Sequence, residues 1–462
     1  MLSYEEFLKT KEMRFLPSGF DAGEENPLLF DWQSQITKWA IKKGKAAIFA
    51  DCGLGKTAMQ LQWADQVSKH ENKPVLICAP LAVSAQTKAE GEKFDVPVTI
   101  CRRQQDVQPG VNITNYEMLD YFNAREFCGV VLDESSILKS YTGVTKRKIV
   151  SMFSETKFRL SCSATPAPND LMELLNQAEF LGIMKSNEAL SVWFIADQTN
   201  SGHYRLKGHA AKDFWQWVSS WAVCLETPKD IGYSDELYRL PPLYEHVEVV
   251  GSDLEGIEEF TEIANALNMS ATGFHQEKAK TVHARAEKCA EIVNRSEDQY
   301  LIWCYRNDEA DELARLLPEA TEIRGSDKIE LKEKAALDFA RGETRVLISK
   351  PSIFGYGLNF QKCHNMVFCG LDYSFEAYYQ AVRRVYRFGQ TQPVEVVKVI
   401  GENEKNILDA IDRKANMKKT MTVSMAQAMR KFQTQELNGH RFKMNTEKQK
   451  AEMPDWLKGE AS

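Results

Sequence analysis

The sequence predicts an α/β protein with two tandem lobes, each a parallel sheet flanked by helices. The chain has 462 residues, and single cores tend to divide beyond roughly 250–300 residues. Short apolar runs rich in β-branched residues alternate with amphipathic charged stretches, which is the pattern of strand–helix–strand units. The alternation occurs in two separate series with a different kind of segment between them, so we expect two lobes rather than one.

Each series consists of short runs that predict buried strands. The first series is KAAIFA (45–50), VLICAP (75–80), VNITN (111–115), GVVLDE (129–134) and FRLSCSAT (158–165). The second series is YLIWCY (300–305), TRVLISK (344–350), NMVFCG (365–370) and VEVVKVI (394–400). We therefore predict a first lobe over 1–185, a Trp- and Pro-rich helical connector over 186–245, a second lobe over 246–412 and a polar C-terminal tail over 413–462.

The charge of the chain limits how it could bind a nucleic acid. Its formal net charge is -7, whereas small DNA-binding domains usually carry a basic excess. Any contact with a nucleic acid must therefore come from local basic strips and not from bulk charge.

The cysteines and the apolar runs bear on the compartment. The ten Cys contain no CxxC pair, so a structural zinc site is not expected. Cys78 and Cys304 lie inside apolar runs, which predicts small buried hydrophobes in a reducing compartment. No apolar run is long enough to span a bilayer, and the N-terminus has no apolar signal core. We expect no membrane partner and a cytoplasmic location, in a bacterium or a phage-infected cell.

The strongest local signal is a phosphate-binding loop at residues 50–57. An apolar strand leads into ADCGLGKT, and an amphipathic stretch follows. This is the phosphate-loop pattern with Ala50 in place of its first Gly. Gly53 and Gly55 allow backbone N–H groups to surround phosphate oxygens. Lys56 is then expected to reach the β- and γ-phosphates of ATP, and Thr57 to bind Mg²⁺ through its hydroxyl.

Two carboxylates directly follow another predicted strand, in GVVLDESS (129–136). Hydrolysis of a phosphate ester needs one anion for the metal and one base for the attacking water. We expect Asp133 to bind Mg²⁺ and Glu134 to orient or deprotonate the water. Downstream of a phosphate loop in the same lobe, the pair predicts the second half of one ATP site.

With these motifs, the chain resembles the superfamily 2 helicase-type ATPases, and within them the Swi/Snf-like members of bacteria and phages. Trp32-Gln33 resembles the family's aromatic–Gln pair, which implies that Gln33 contacts adenine. The stretch 79–94 resembles the motif that touches the tracked strand, and ITNYEML (113–119) resembles the family's TSYE element. Asp133, Glu134 and Lys139 match the DEAH-plus-Lys box, with Ser136 in place of its usual His. In SCSATPAPNDLMELL (161–175), the resemblance implies that Ser163 and Thr165 couple hydrolysis to lobe movement.

The second series carries the remaining motifs of the resemblance. LIWCYRNDEADELARLL (301–317) resembles motif IV, and FGYGLNFQ (354–361) resembles motif V, with Gly355, Gly357 and Asn359 at matching positions. QAVRRVYRFGQ (380–390) resembles motif VI, in which Gln380, Arg384, Arg387, Gly389 and Gln390 match. The resemblance implies that Gly357 and Gln380 lie at the nucleotide, and that Arg384 and Arg387 are arginine fingers on its γ-phosphate.

The resemblance implies two RecA-like lobes that use ATP and Mg²⁺ to move along a nucleic acid. It favours duplex DNA held by sequence-independent backbone contacts, on the strength of YRFGQ (386–390), TPAPND (165–170) and ELYRLPPLYEHVEVV (236–250). RNA is not excluded, and a protein partner is left open. Two alternatives stay open: a helicase that separates DNA or RNA strands, and an ATP-gated DNA-binding subunit with little turnover.

Two segments leave a choice of interpretation. The connector carries Trp193, Trp215, Trp217 and Trp221, which predict either a helical core between the lobes or a base-stacking wedge. A metal at His203 and His209 is a weaker alternative. NEKNILDAIDRK (403–414) resembles the family's helix after motif VI, which packs on the second lobe. The tail beyond it is either a helix with a mobile end or a basic arm that follows DNA.

Overall fold

The computed structural model describes residues 17–80, 83–140, 143–168, 170–196, 204–251, 281–354 and 359–438. Within these ranges the side chains of residues 329, 333, 403 and 417–424 are outside the description. Two parallel sheets flanked by helices make up the described part of the chain. The predicted α/β class with two tandem RecA-like lobes is therefore confirmed.

The first sheet has seven strands in the order β3-β4-β2-β5-β6-β1-β9, and every pairing is parallel. Five of its strands coincide with the apolar runs of the first series. The strands up to β9, including a separate antiparallel pair β7-β8, are β1 (Lys45–Ala50), β2 (Val75–Ala79), β3 (Val98–Ile100), β4 (Val111–Asn115), β5 (Gly129–Asp133), β6 (Phe158–Cys162), β7 (Phe194–Ala196), β8 (Tyr204–Leu206) and β9 (Ala222–Leu225).

Helices cover both faces of this sheet and bury its apolar strands, as parallel sheets require. They are α1 (Asp31–Lys43), α2 (Lys56–Glu71), α3 (Ser84–Lys93), α4 (Val144–Met152), α5 (Glu173–Leu181), α6 (Ser186–Trp193) and α7 (Ala211–Ser219). Because β6 lies between β1 and β5, the loops after these three strands meet at one carboxyl edge of the sheet, where open α/β sheets bind their ligands.

The second sheet has six parallel strands in the order β10-β15-β14-β11-β13-β12. Its strands are β10 (Leu243–Val250), β11 (Tyr300–Cys304), β12 (Thr321–Glu322), β13 (Val346–Ser349), β14 (Asn365–Cys369) and β15 (Val394–Gly401). Its helices are α8 (Val282–Val293), α9 (Asn307–Leu316), α10 (Ile329–Arg341), α11 (Pro351–Phe354), α12 (Phe375–Val382) and α13 (Lys405–Leu437).

The segment 186–245 differs from the separate connector that the sequence predicts. Strand β9 pairs with β1 and extends the first sheet by one strand, and β10 already belongs to the second sheet from Leu243 onward. Trp193, Trp217 and Trp221 are buried in the core of the first lobe, and the rings of Trp217 and Trp221 lie 5.4 Å apart. These three Trp therefore pack in a core. His203 lies outside the described residues.

The segment 413–462 also differs from a polar tail. Helix α13 begins on the second lobe, where Ile407 and Ile411 are buried in the core of that lobe. The prediction that the helix over 403–414 packs on the second lobe is therefore confirmed. The same helix continues to the first lobe, where Met425 and Met429 are buried beside α7 and β9. Gln433 binds both the N–H and the C=O of Cys224 at the edge of the first sheet. Residues 439–462 lie outside the described part.

None of the helices in the described residues has the length and apolar character that crossing a bilayer requires.

Candidate active site

The phosphate loop connects β1 to α2 and needs glycine at two positions. Gly53 and Gly55 have φ values of +87° and +72°, in the left-handed region that other residues adopt at a cost. A Cβ on Gly55 would lie 2.3 Å from the side-chain nitrogen of Gln33. Lys56 and Thr57 begin α2, so the positive end of the helix dipole points at the loop. The predicted cradle for phosphate oxygens is therefore present in its backbone.

Lys56 lies inside this loop. Its Nζ donates hydrogen bonds to the carbonyl oxygens of Ala50 at 2.9 Å and Asp51 at 3.3 Å. Thr57 follows it and is partly exposed. Both side chains thus stand at the position that the sequence predicts for binding phosphates and Mg²⁺.

Gln33 packs against the phosphate loop from α1. Its Oε1 accepts a hydrogen bond from the Phe30 N–H at 3.1 Å, and its Nε2 donates one to the Leu54 carbonyl at 3.1 Å. A carboxamide offers two donor hydrogens and two acceptor lone pairs. One N–H donor and one lone pair of the Gln33 amide therefore stay available for the edge of a purine. The other donor and acceptor fix the orientation of the amide.

The two predicted carboxylates stand at the end of β5, beside the phosphate loop. Gln60 of α2 donates a hydrogen bond of 2.7 Å to Asp133 Oδ1, and the Tyr116 hydroxyl donates one of 2.7 Å to the Asp133 carbonyl. Glu134 has a φ of +52°, which is uncommon for a residue with a side chain. Its Oε2 is buried and has no hydrogen-bond partner among the described residues. A carboxylate held by a hydrogen bond next to one with an unpartnered buried oxygen is the arrangement that the predicted metal ligand and base require.

Burial raises the pKa of both carboxyl groups above their ordinary values, and the charge of Lys56 offsets only part of the rise. The negative charge of Asp133 raises the pKa of Glu134 further, while Arg384 of the second lobe lowers the pKa of both groups. A base with a raised pKa accepts a proton more readily near neutral pH. The environment therefore favours proton uptake by either carboxyl group, and the role of Glu134 stays a prediction.

Ser163 and Thr165 occupy the centre of the same edge, directly after β6. The Ser163 N–H donates to the Ile48 carbonyl of β1 at 3.3 Å, and the Thr165 N–H donates to Ser163 Oγ at 3.0 Å. Both residues are buried, and Thr165 Oγ1 has no hydrogen-bond partner in the described part of the chain. This turn therefore lies between the phosphate loop and the carboxylates, as a coupling element requires.

The second lobe presents α12 and the turn after it to this edge. Ser374 caps α12 by accepting a hydrogen bond from the Ala377 N–H at 3.3 Å, which fixes where the helix begins. Gln380 is fully buried, and its Oε1 lies 3.9 Å from the Cys52 sulfur of the phosphate loop. Arg384 donates to the Gln380 carbonyl at 2.9 Å and to its Oε1 at 3.1 Å. These contacts hold the Arg384 side chain against Gln380, and its charge acts on Asp133 and Glu134.

Arg387 and Phe388 complete this face. Burial lowers the pKa of Arg387 to about 10, and the neighbouring charge of Arg384 lowers it as well. The backbone of Phe388 lies so close to Gly53 that a Cβ there would be 2.8 Å from the Phe388 nitrogen. The structure thus brings the region of Arg384 and Arg387 to the phosphate loop, which a cleft shared by two lobes requires.

Several contacts across the cleft involve residues that the sequence did not single out for this purpose. Arg383 forms an ion pair with Asp51 of the phosphate loop, and Tyr379 donates a hydrogen bond to the same carboxylate. Lys139 forms an ion pair with Glu376 of α12. In the sequence, Arg383 appears only as the first of two adjacent arginines at 383–384. A sequence alone does not show which of two adjacent side chains faces the other lobe.

Motif V is only partly described. Gly355 and Gly357 lie outside the described residues, so the prediction for Gly357 stays a prediction. Asn359 is described, and its buried Oδ1 has no hydrogen-bond partner within the described ranges. The Phe360 N–H donates to the Arg384 carbonyl at 2.8 Å, so the end of motif V is tied to motif VI.

A cavity of about 410 Å³ lies between the lobes. Asp51 and Thr165 line it from the first lobe, and Arg383 and Tyr379 line it from the second. Helix α13 contributes Ile411 and Met425 to its wall. Lys56, Asp133 and Glu134 are not among its lining residues, so the cavity is separate from the predicted chemistry.

The stretch 79–94, expected to touch a tracked strand, meets the TSYE-like element (113–119) on the first lobe. Ser84 at the start of α3 donates a hydrogen bond of 2.9 Å to Asn115 Oδ1 at the end of β4. Gln86 Oε1 and Thr114 Oγ1 are buried without hydrogen-bond partners among the described residues. Leu81 and Ala82 lie outside the description. Polar groups therefore gather here.

Comparison with known proteins gives a family for the second lobe. Residues 284–389 match the helicase conserved C-terminal domain. No curated protein matches the chain. A similar solved structure is the Sulfolobus solfataricus SWI2/SNF2 ATPase core in complex with dsDNA, which is 17% identical. The match covers 92% of this chain and 98% of that chain, with a TM-score of 0.41.

Proposed function

Starting from a helicase-type protein of superfamily 2 whose residues 284–389 form the conserved C-terminal domain, we propose an ATP-dependent translocase that moves along duplex DNA. One observation carries the proposal: the end of α12 and the turn after it meet the phosphate loop of the first lobe, where Arg383 pairs with Asp51 and Phe388 lies against Gly53. The catalytic groups are therefore divided between two lobes, as they are in a motor that works by opening and closing.

In the proposed reaction, Lys56 and the loop N–H groups bind the phosphates of ATP. Glu134 orients the attacking water and takes its proton, and Arg384 and Arg387 balance the charge that develops on the transferred phosphoryl group. Guanidinium groups suit this role because they stay charged and bind phosphate oxygens in a fork.

The residues present fit Mg²⁺. Thr57 at the start of α2 and the buried carboxylate of Asp133 offer the hard oxygen ligands that this ion prefers. When bound there, the ion would supply positive charge to the phosphate oxygens. Gln60 holds one oxygen of Asp133 in place for it.

Coupling to movement follows from the position of Ser163 and Thr165. Their turn is hydrogen-bonded to β1 and follows the strand between β1 and β5. Loss of the γ-phosphate removes a charge that both lobes bind, so the closed arrangement loses stability after hydrolysis. Lobes that grip the track alternately would then step along it.

The track is proposed from the sequence motifs and from the charge of the chain. The Swi/Snf-like resemblance of YRFGQ (386–390) and of 165–170 supports duplex DNA. An acidic protein holds such a track through backbone amides, hydroxyls and a few local cations, so binding is expected to be sequence-independent and to weaken steeply with salt. Ser84 lies in the stretch 79–94, which is predicted for this grip.

The test is ATP hydrolysis measured with duplex DNA, single-stranded DNA, RNA and no nucleic acid, alongside strand displacement of a labelled duplex. We expect the largest stimulation by duplex DNA without displacement. Lys56→Ala and Glu134→Gln serve as inactive controls. Displacement would favour the strand-separating helicase, and absence of turnover under every condition would favour the ATP-gated subunit. Turnover by either control near the wild-type rate would refute the assignment of the site.

Arg387→Ala provides the matching test on the second lobe. We expect it to lower kcat by about a thousandfold or more. ATP affinity should change much less, because the first lobe carries the phosphate loop. Losses of equal size in kcat and in affinity would contradict a finger role.

A further inference from the structure

Arg383, Asp51 and Tyr379 form a closed set of contacts across the lobe interface. The Arg383 guanidinium pairs with one Asp51 oxygen, and the Tyr379 hydroxyl donates a hydrogen bond to the other. Arg383 Nε in turn donates to the Tyr379 oxygen at 3.1 Å. The guanidinium centre also lies 5.3 Å from the Tyr379 ring and 5.6 Å from the Tyr386 ring, within cation–π range.

This ion pair differs from the surface pairs of the chain in its burial. The exposed fractions of the Arg383 and Asp51 side chains are 15% and 20%. Burial acts to lower the pKa of Arg383, but the charge of Asp51 and the contact with Tyr379 outweigh it, so the pKa is raised. Removal of one partner from a desolvated pair leaves the other charge uncompensated, which costs more than loss of an exposed pair.

Asp51 joins this set to the phosphate loop. It is the residue after β1, its N–H donates to the Leu225 carbonyl of β9 at 3.0 Å, and its own carbonyl accepts a hydrogen bond from Lys56 at 3.3 Å. A phosphate that binds Lys56 competes for the same Nζ. Asp51 therefore has two roles: its backbone carbonyl shares Lys56 with the nucleotide, and its carboxylate binds the second lobe.

The neighbouring arginines have other surroundings. The charge of Arg384 acts on Asp133 and Glu134, whereas Arg383 faces Asp51 and lines the 410 Å³ cavity with Thr165. Motif VI thus reaches the first lobe at two places, one at the carboxylates and one at the start of the phosphate loop.

We propose that Arg383 is a positioning residue that sets the closed arrangement of the lobes through Asp51, so that Arg384 and Arg387 reach the nucleotide. The proposal rests on the proposed ATPase function and adds to it a second connection between phosphate loop and second lobe. Arg383 acts through Asp51 and does not touch the reacting phosphate. It follows that the pair affects the rate of turnover more than the binding of ATP to the first lobe.

The test is a double-mutant cycle of Arg383→Gln and Asp51→Asn, with kcat from nucleic-acid-stimulated hydrolysis and ATP affinity from a fluorescent nucleotide. We expect each single variant to lower kcat by about tenfold, and the double variant to lose no more than either single variant. For Arg383→Gln we expect ATP affinity to stay within about twofold. Arg383→Lys, which keeps the charge but not the fork, is expected to recover part of the rate.

Arg315→Gln is the matched control, because Arg315 also pairs with a carboxylate of the second lobe but on its exposed surface. Thermal unfolding of each variant checks that it is folded. Multiplying losses in the double variant, a wild-type rate in Arg383→Gln, or an equal loss in the control would overturn the proposal. Absence of hydrolysis in the wild-type chain would instead refute the proposed function, so the two failures are distinguishable.

Discussion

Substitution Gly53→Ala tests whether close approach of the second lobe to the phosphate loop is needed for turnover. The change adds one methyl group at a residue with φ of +87°. The added carbon would lie 2.8 Å from the Phe388 nitrogen and 3.0 Å from its Cβ. The nitrogen is backbone, so it can move away only if the turn after α12 moves with it.

Two costs follow, and they act on different equilibria. The left-handed backbone conformation costs an L-residue roughly 1–2 kcal/mol, which lowers the stability of the first lobe. The clash with Phe388 acts only on approach of the lobes. If it costs about 1.4–2.8 kcal/mol, typical of overpacking, the closed population falls about 10- to 100-fold, and kcat falls with it.

The assay compares Gly53→Ala with Gly110→Ala in kcat and in thermal unfolding. Gly110 has a similar φ of +97°, and no atom lies within 4 Å of its added Cβ, so this variant carries the backbone cost without the clash. Both variants are expected to unfold at similarly lowered temperatures, but only Gly53→Ala loses turnover. Equal kcat in the two variants would refute the reasoning that the lobes must meet at Gly53.

Three further predictions concern stability. Glu134→Gln is expected to raise the free energy of unfolding near pH 8. The pKa of Glu134 is raised in the folded protein, so its ionised form destabilises the fold increasingly as pH rises above the ordinary value of 4.5. Urea unfolding measured against pH should therefore show that the stability gained by the variant vanishes in acid. Arg285→Met should lower the free energy of unfolding in urea by about 3–5 kcal/mol, because Arg285 is fully buried with Glu309 and Glu404. A loss as small as that of Arg315→Met on the exposed surface would contradict this prediction. Met429→Ala should lower the free energy of unfolding by about 2–4 kcal/mol, since this buried side chain packs α13 on the first lobe. A smaller loss of stability than that of Met118→Ala, at a partly exposed residue, would contradict such packing.

The strands and the phosphate site could be predicted because each leaves a local signal. A buried parallel strand reads as an unbroken apolar run, as in VLICAP (75–80), and the loop that follows β1 needs glycine at fixed positions. The carboxylates Asp133 and Glu134 follow a strand of the same sheet, so the topology of a parallel sheet is enough to bring them to Lys56.

Other features depend on contacts between distant residues. The four residues of β9 lie in a Trp-rich stretch, and so short an apolar run does not distinguish a strand from a buried helix. Helix α13 reads as polar because only a narrow stripe, including Met425 and Met429, meets the first lobe. The Gln433 side chain hydrogen-bonds the backbone groups at the open edge of β9. A sequence shows such a contact only once the strand that it meets is known.

The charges at the lobe interface divide into two sets, and this division links the fold to the proposed chemistry. Lys139 with Glu376 and Arg383 with Asp51 pair across the interface, so they join the lobes without leaving net charge. The charges directed at the predicted nucleotide are Lys56, Arg384 and Arg387 on one side and Asp133 and Glu134 on the other, which leaves one positive charge. A triphosphate accompanied by Mg²⁺ nearly balances that excess. An overall charge of -7 therefore says little about the cleft, because the cations that matter are few and are contributed by both lobes.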